Sequence, residues 1–409
     1  MRGRVKAAGL VSLGFAALLG GAMTLPVAAS GPAKAAGDYI VILADESDAS
    51  ATASEHARSH GAKVGHVYRY ALRGYSAHLS ATAATRIAAD RRVAKVEPDG
   101  VVTTTGHSLP TGTNRVDAEL SPTARIDDVA TEVNVDVAVL DTGADLKHPE
   151  LNILKRGTRN CSTGRGADDG HGHGTHVSGI IGAQDDGVGV VGVAPGARIW
   201  PIRVLDANGS GSFSDVICGI DYVTANASRI EVANMSLGGS GSDGVCGINA
   251  DAMHEAICAS VARGVTYVVA AGNSGADANQ IVPAAYDEVI TVSALADFDG
   301  LPGGVGGATC RYDVDDTFAD FSNYGADVDL VAPGVCIRST WRGGGYNTIS
   351  GTSMASPHVA AGAALYKVTH PNASPAMVKA ALQAAGSTDW NNADDRDGIK
   401  EKLLNVATF

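Results

Sequence analysis

Apolar and polar positions along this chain fall into two successive regimes. In the first, Asp38–Leu43 (DYIVIL) is a short apolar run and predicts a strand. Ala49–His60 is polar and alanine-rich and predicts a helix, while GYSAHLS (Gly74–Ser80) alternates with period 2, as a half-buried strand does. ATAATRIAADRRV (Ala81–Val93) predicts a second helix and AKVEPDGVV (Ala94–Val102) a closing strand. Residues 37–106 therefore read as one small α+β unit. Periodicity then stops over Thr103–Asn114 (TTTGHSLPTGTN), which predicts an exposed linker.

In the second regime strands and helices alternate. VDVAVLD (Val135–Asp141) is a continuous apolar run ending on an aspartate, the pattern of a parallel strand buried on both faces. THVSGIIGA, RIWPIRVL, a helix over Ser214–Ala225, EVANMSLGG, a helix around Asp251–Arg263 and VTYVVAAGNSG follow in turn. This order predicts an α/β fold, a mostly parallel central sheet with helices on both faces, preceded by the small α+β unit. Asp141, Ser236 and Asn273 stand where predicted strands end. In open α/β sheets the site lies outside the carboxyl ends of the strands, so these positions point to one.

Composition supports a globular body: of 409 residues 45% are apolar and 18% charged, enough for a sizeable core. The N-terminus differs. Arg2, Arg4 and Lys6 precede an apolar stretch, Ala7–Leu25, and small-residue cleavage sites follow at Val27-Ala28-Ala29 or Ala33-Lys34-Ala35. Residues 1–36 therefore read as a signal peptide, and the protein as secreted. No later stretch is long and apolar enough to span a bilayer, so no membrane contact is expected once the signal is removed. In an oxidising compartment the even number of cysteines (Cys161, Cys218, Cys246, Cys258, Cys310, Cys336) predicts disulfides, with the pairing left open. The net charge of −13 is uneven: residues 107–409 hold 19 basic and 36 acidic residues. An acidic body argues against nucleic acid or an anionic membrane as partner. A unit of about 70 residues without cysteines is only marginally stable alone, which suits a temporary segment.

DDGHGHGTHVSG (Asp168–Gly179) places His171, His173 and His176 among glycines. Three close histidines fit either a metal cluster or one base with two bystanders. Far downstream, SGTSMASPHV (Ser350–Val359) delivers Ser353 to the start of an alanine-rich helix, where free N–H groups and the helix dipole favour negative charge. A serine nucleophile needs a histidine to take its proton, and the histidine needs a carboxylate to orient it. Asp141, a histidine of the glycine-rich segment and Ser353 supply those parts, and Asn273 could donate to an oxyanion.

VAVLDTGADLKHPEL, GHGTHVSG, SLGG, AAGNSG and ISGTSMASPHV together resemble, in order, the signature blocks of the subtilisin-like serine proteases over about Asp136–Gly362. Residues 37–106 resemble that family's inhibitory prosegment through YIVIL, GYSAHL and VAKVEPDGVV, and FSNYG and STWRGG are similar to its proteinase K-like branch. The resemblance implies Asp141 as orienting carboxylate, His173 as general base, Ser353 as nucleophile, and Asn273 with the Ser353 N–H as oxyanion donors. It implies that Gly209, Ser210 and Gly211 form one substrate-binding edge, Ser236, Leu237 and Gly238 the other. Ala271 and Gly272 are small, and Ser274 stands where some relatives carry an acid, so the first specificity pocket is expected to be roomy, uncharged and suited to apolar or aromatic side chains. AQDDGVGVV (Ala183–Val191) is similar to the family's calcium loop, with the Asp186 carboxylate, the Gln184, Val188 and Val190 carbonyls and Glu150, in place of the usual aspartate, as implied ligands. No cofactor is implied for catalysis.

The expected organisation is a signal peptide (1–36), an inhibitory and folding-assisting prosegment (37–106) and a catalytic domain (107–409). The expected protein is a monomeric secreted endopeptidase acting on proteins and peptides, made as a zymogen that cuts itself near Thr103–Ser108. Two alternatives stand beside it. Residues 37–106 could act as a protease inhibitor on an inactive scaffold. The His-x-His-x-x-His spacing also resembles metallo-hydrolases of the β-lactamase-like group, but Thr175 stands where that pattern has aspartate, and His254, His358 and His370 lie in no matching segment. His148 reads as a loop residue, His358 as a core-edge residue on the helix behind Ser353, and Asp145 and Asp169 as solvated or structural carboxylates. Asp297–Asp316 reads as an insertion, either a disulfide-pinned surface loop or a second cation site.

Overall fold

The computed structural model describes residues 36–44, 47–99 and 108–409. The expected signal peptide up to residue 35 and most of the expected cleavage region lie outside the described residues. The chain separates into two compact units between Thr103 and Thr104.

In the first unit, strands Lys63–Tyr68, Gly74–Leu79, Gly37–Leu43 and Val93–Pro98 lie side by side in that order, all antiparallel. Helices Ala49–His60 and Ala81–Ala88 complete it, capped by Asp48 and Ser80, whose side chains accept from first-turn N–H groups. Val41, Tyr75, Leu79, Ala84 and Ile87 are buried between sheet and helices. Strand Lys63–Tyr68 has no counterpart in the sequence reading. It is an edge strand with no fully buried residue, so it shows no clear apolar alternation.

The second unit is built on a sheet whose parallel strands run in the order Lys402–Leu403, Leu330–Pro333, Ile290–Ala296, Thr266–Ala270, Val232–Met235, Asp136–Asp141, Arg198–Arg203, Arg159–Asn160. Strand Asp136–Asp141 shows why the sequence between its two aspartates is an unbroken apolar run. Val137 and Val139 enter one core with Val177, Ile181 and Val359, whereas Ala138 and Leu140 enter the other with Val216, Ile220 and Ile257. Helices His173–Gly182 and Thr352–Thr369 contribute to the first core, Phe213–Ala225 and Ala252–Val261 to the second. Three adjacent strands end at Asp141, Met235 and Ala270, which brings Asp141, Ser236 and Asn273 to one end of the sheet.

The expected linker is shorter than its sequence suggested. Thr111–Arg115 forms a short helix inside the second unit, with Thr113 Oγ1 donating to the Val191 carbonyl at 3.2 Å. A Cβ on Gly112 would stand 2.4 Å from His358 Nε2, so this turn is packed and not exposed. Its anchors are distant in sequence, which is why local periodicity does not reveal it. The disulfides join Cys161 to Cys218, Cys246 to Cys258 and Cys310 to Cys336; the last pins the 297–316 insertion.

Candidate active site

Asp141, the last residue of its strand, is fully buried, and its two carboxylate oxygens lie 2.8 and 2.9 Å from His173 Nδ1. The Thr142 N–H also donates to Asp141, at 2.7 Å. His173 opens the helix that Gly172 precedes with φ 116°, a backbone conformation that suits glycine. A Cβ at Gly172 would also stand 2.4 Å from Trp341. Burial opposes charging of His173, but the Asp141 carboxylate outweighs it and raises the imidazole pKa above its ordinary value.

The turn that presents His173 is organised by Asp169. One of its oxygens accepts from Thr142 Oγ1 and from the His171 and Gly172 N–H groups, at 2.8–2.9 Å. The other accepts from the Thr175 N–H and hydroxyl at 2.9 and 2.6 Å. Asp169 thus satisfies N–H groups at the start of the His173 helix. Asp145 likewise ties the Gly343 and Gly344 N–H groups, and His148 Nε2 donates to the Gly345 carbonyl at 3.0 Å.

The three histidines have separate surroundings. His176 is fully buried, with Nε2 3.0 and 3.1 Å from the Ile337 and Asn347 carbonyls, and burial lowers its pKa to about 3. The His171 ring lies edge-on to His173, 6.3 Å between centroids. Among the described residues, none of the three belongs to a side-chain cluster converging at metal-ligand distances. His358 is buried, donates from Nδ1 to the Met354 carbonyl at 2.8 Å and is structural.

Ser353 is the second residue of helix Thr352–Thr369. Its Oγ donates to the Ser236 carbonyl at 3.3 Å, and among the described residues no hydrogen bond joins it to His173. Catalytic hydrogen bonds often tighten only when substrate is present, and rotation about one side-chain bond redirects this hydroxyl. Asn273 is held by its amide oxygen, which accepts from the Thr352 N–H and hydroxyl at 2.8 and 2.9 Å. Asn273 itself is exposed. A Cβ placed on Gly351 would stand 3.6 Å from both Asn273 Nδ2 and the Ser353 nitrogen, so the two donors border the same small space.

Several supporting residues had no assigned role in the sequence reading. Asn323 donates to the Ala271 carbonyl and accepts from the Ser274 and Ala276 N–H groups, bracing the Asn273 turn. Gly272, at φ 108°, approaches so closely that a Cβ would stand 2.5 Å from Asn323 Nδ2. Asn234 donates to Ser236 Oγ at 3.0 Å and accepts from Ser356 Oγ at 2.7 Å. In the sequence, Asn323 lies in the FSNYG block, Asn234 in EVANMSLGG and Ser356 in SGTSMASPHV, but nothing in those segments marks the pairings.

Two cavities flank the site. One, about 460 Å³, is lined by His171, His173, Asn208–Phe213, Ser236, Leu237 and Gly238 among others, and so includes Gly209, Ser210 and Gly211. The other, about 330 Å³, is lined by Leu237–Ser240, Ala270, Gly272–Ser274, Ile281, Thr352 and Ser353, none of them charged. Ala271 is a correction: it is fully buried in the core with Val269, because the strand's period of 2 turns Ala270 to the cavity instead.

In the 183–191 loop, Asp186 and Val188 are exposed and Asp186 accepts from the Val188 N–H at 3.0 Å. Glu150 is buried; one oxygen accepts from the Val190 N–H at 3.1 Å and the other from the Tyr346 hydroxyl. Burial, with the nearby Asp186 charge adding to it, pushes Glu150 up to about 7.

Comparison with known proteins agrees with this geometry. The subtilase family model matches residues 133–399, and the peptidase inhibitor I9 model matches residues 38–105. The chain is 40% identical to an extracellular serine proteinase of Thermus sp. (strain Rt41A), over 79% of this chain and 73% of that protein. It is 35% identical to subtilisin NAT of Bacillus subtilis subsp. natto, over 80% and 78%. The structure of a cold adapted subtilisin-like serine proteinase matches with a TM-score of 0.56 and 33% identity, over 73% of this chain and 98% of that one. The chain belongs to the subtilase family and is a serine endopeptidase zymogen carrying an I9-type inhibitory prosegment.

Proposed function

We propose that Asp141, His173 and Ser353 carry peptide hydrolysis, with the oxyanion held by Asn273 Nδ2 and the Ser353 N–H. The observation that carries this reading is the Asp141–His173 contact. With Nδ1 committed to a buried carboxylate, Nε2 is the nitrogen left to take a proton. Ser353 Oγ turns from the Ser236 carbonyl to His173 Nε2, loses its proton there and attacks the substrate carbonyl carbon. The oxyanion moves between Asn273 and the helix N-terminus. His173 returns the proton to the leaving amine, and a water attacks the acyl-enzyme by the same route.

Extended substrate would lie between Gly209–Gly211 and Ser236–Gly238, held through backbone groups, which gives breadth of sequence tolerance. The uncharged cavity beside Gly272 and Ser274 supports a preference for apolar or aromatic residues before the cut. The protein is read as secreted and monomeric, with self-cleavage near Thr103–Ser108. The Glu150 and Asp186 carboxylates with the Gln184, Val188 and Val190 carbonyls would make an all-oxygen donor set, which suits a structural calcium ion. That ion takes no part in the reaction; it would stabilise the 183–191 loop.

The test is expression of Ser353→Ala and Asn273→Ala in a protease-free host. Ser353→Ala should accumulate as the unprocessed chain. Asn273→Ala should fold but hydrolyse casein about two to three orders of magnitude more slowly, the range known for oxyanion donors in this family. A mature N-terminus on Ser353→Ala would refute self-processing.

A further inference from the structure

Away from the active site, Asp395, Asp397 and Glu401 bring one carboxylate oxygen each within 4.8 Å of one another. Asp395 is 8% exposed and Glu401 6%, while Asp397 is open to solvent. All four oxygens of Asp395 and Glu401 are buried and without a hydrogen-bond partner among the described residues. Two buried carboxylates with no donor are costly, because neither water nor protein replaces their solvation. The basic residues of the segment do not relieve them. Arg396 reaches the Gly275 carbonyl, and the Lys400 ammonium lies 5.4 Å from the centre of the Trp390 ring.

Local geometry aims the acids at one another. Gly398, between Asp397 and Glu401, has φ 72°, a left-handed conformation that suits glycine. The Ile399 N–H donates to Asp397 at 2.7 Å, and Trp390 Nε1 donates to the Glu401 carbonyl at 3.1 Å. We propose that Asp395, Asp397 and Glu401 form a calcium-binding site, distinct from the 183–191 loop. The donors are all oxygen, which selects a hard cation. Three carboxylates, each able to bind through one or two oxygens, suit the adaptable six- to eightfold coordination of calcium better than the strict octahedron of magnesium. The exposed Asp397 side leaves room for water in the coordination shell. Through Arg396 the segment also reaches Gly275, two residues from Asn273, so the bound ion would secure one flank of the active site.

The test uses full-length Ser353→Ala protein, which cannot digest itself, with Asp186→Asn added to remove the other calcium loop's acid. Calcium added to the chelator-treated protein should raise Tm by about 5 °C. Adding Glu401→Gln should abolish that rise and, in chelator, leave Tm equal to or above its parent's, because an uncompensated buried carboxylate has gone. Terbium should luminesce through Trp390 in the parent, be displaced by calcium, and fail to luminesce in Glu401→Gln. The proposal is overturned if Glu401→Gln keeps the calcium response or the terbium signal. It is also overturned if Glu401→Gln lowers Tm in chelator, because the two acids would then be holding each other as a protonated pair.

Discussion

Ser236 and Ser353 exchange two hydrogen bonds. Ser236 Oγ donates to the Ser353 carbonyl at 2.9 Å, and Ser353 Oγ donates to the Ser236 carbonyl at 3.3 Å. The first bond is available because Pro357, four residues along the helix, has no N–H to give to that carbonyl. In the proposed mechanism the second holds the serine hydroxyl until substrate arrives.

Ser236→Ala should therefore leave the Ser353 carbonyl without its side-chain donor. The expected loss is about 1–2 kcal/mol of stability and roughly tenfold in kcat, with KM little changed. Urea unfolding of the inactive background and steady-state kinetics of the active enzyme measure the two effects. A change in KM alone would contradict this positioning role.

Asp169→Asn should loosen the turn that presents His173. Its carboxylate accepts from backbone and hydroxyl donors on both sides of that histidine, so replacement should cost about 2–3 kcal/mol. Asp169 also helps raise the His173 pKa. The acid limb of kcat/KM should accordingly move to lower pH in the variant. A purely structural aspartate would lower stability without moving that limb.

In the proposed mechanism, Asp141, His173 and Ser353 set the pH dependence of activity. His173 must be neutral to accept a proton, and its pKa is raised above 6.5 because the attraction of Asp141 overcomes burial. Activity should fall as pH drops through that raised value. The stability contribution has the opposite sense: it is fully present below the unfolded histidine's pKa and is lost as pH rises through the folded one. Asp141→Asn should shift the acid limb downward and lower kcat by about four orders of magnitude. A pH–rate profile checks both.

His358 and His176 act in the other direction. Burial lowers them from 6.5 to about 4 and about 3, so the folded protein refuses protons that the unfolded chain takes up. Their stability contribution is present above pH 6.5 and is lost as pH falls toward those values, by about 1.4 kcal/mol per pH unit for each. His358→Asn should flatten the fall in unfolding free energy between pH 6.5 and 4 relative to the parent. Equal slopes in parent and variant would contradict it.

What could be read along the chain was what is local. The run Val135–Asp141 announced a strand buried on both faces, and Ser353 was visible as a serine delivered to a helix start. His173 could be separated from His171 and His176 only through the family resemblance, since spacing alone fits a cluster as well as a base. The supporting network was not legible. Ser356 and Asn234 are 122 positions apart, and neither has a residue type or spacing that marks the pairing. The Thr111–Arg115 turn and the edge strand Lys63–Tyr68 were missed for a related reason, their form being set by distant contacts or by weak burial. Ala271 was misplaced because small size suggested a pocket wall, whereas strand alternation sends it into the core.

The most direct test of the catalytic account is labelling with a serine-directed phosphonylating agent, followed by peptide mapping. Mature enzyme should take up one adduct per chain, at Ser353, in step with loss of casein hydrolysis. Labelling should almost vanish in His173→Ala and persist in His171→Ala. An adduct on another serine, activity that survives full labelling, or equal loss of labelling in both histidine variants would contradict it.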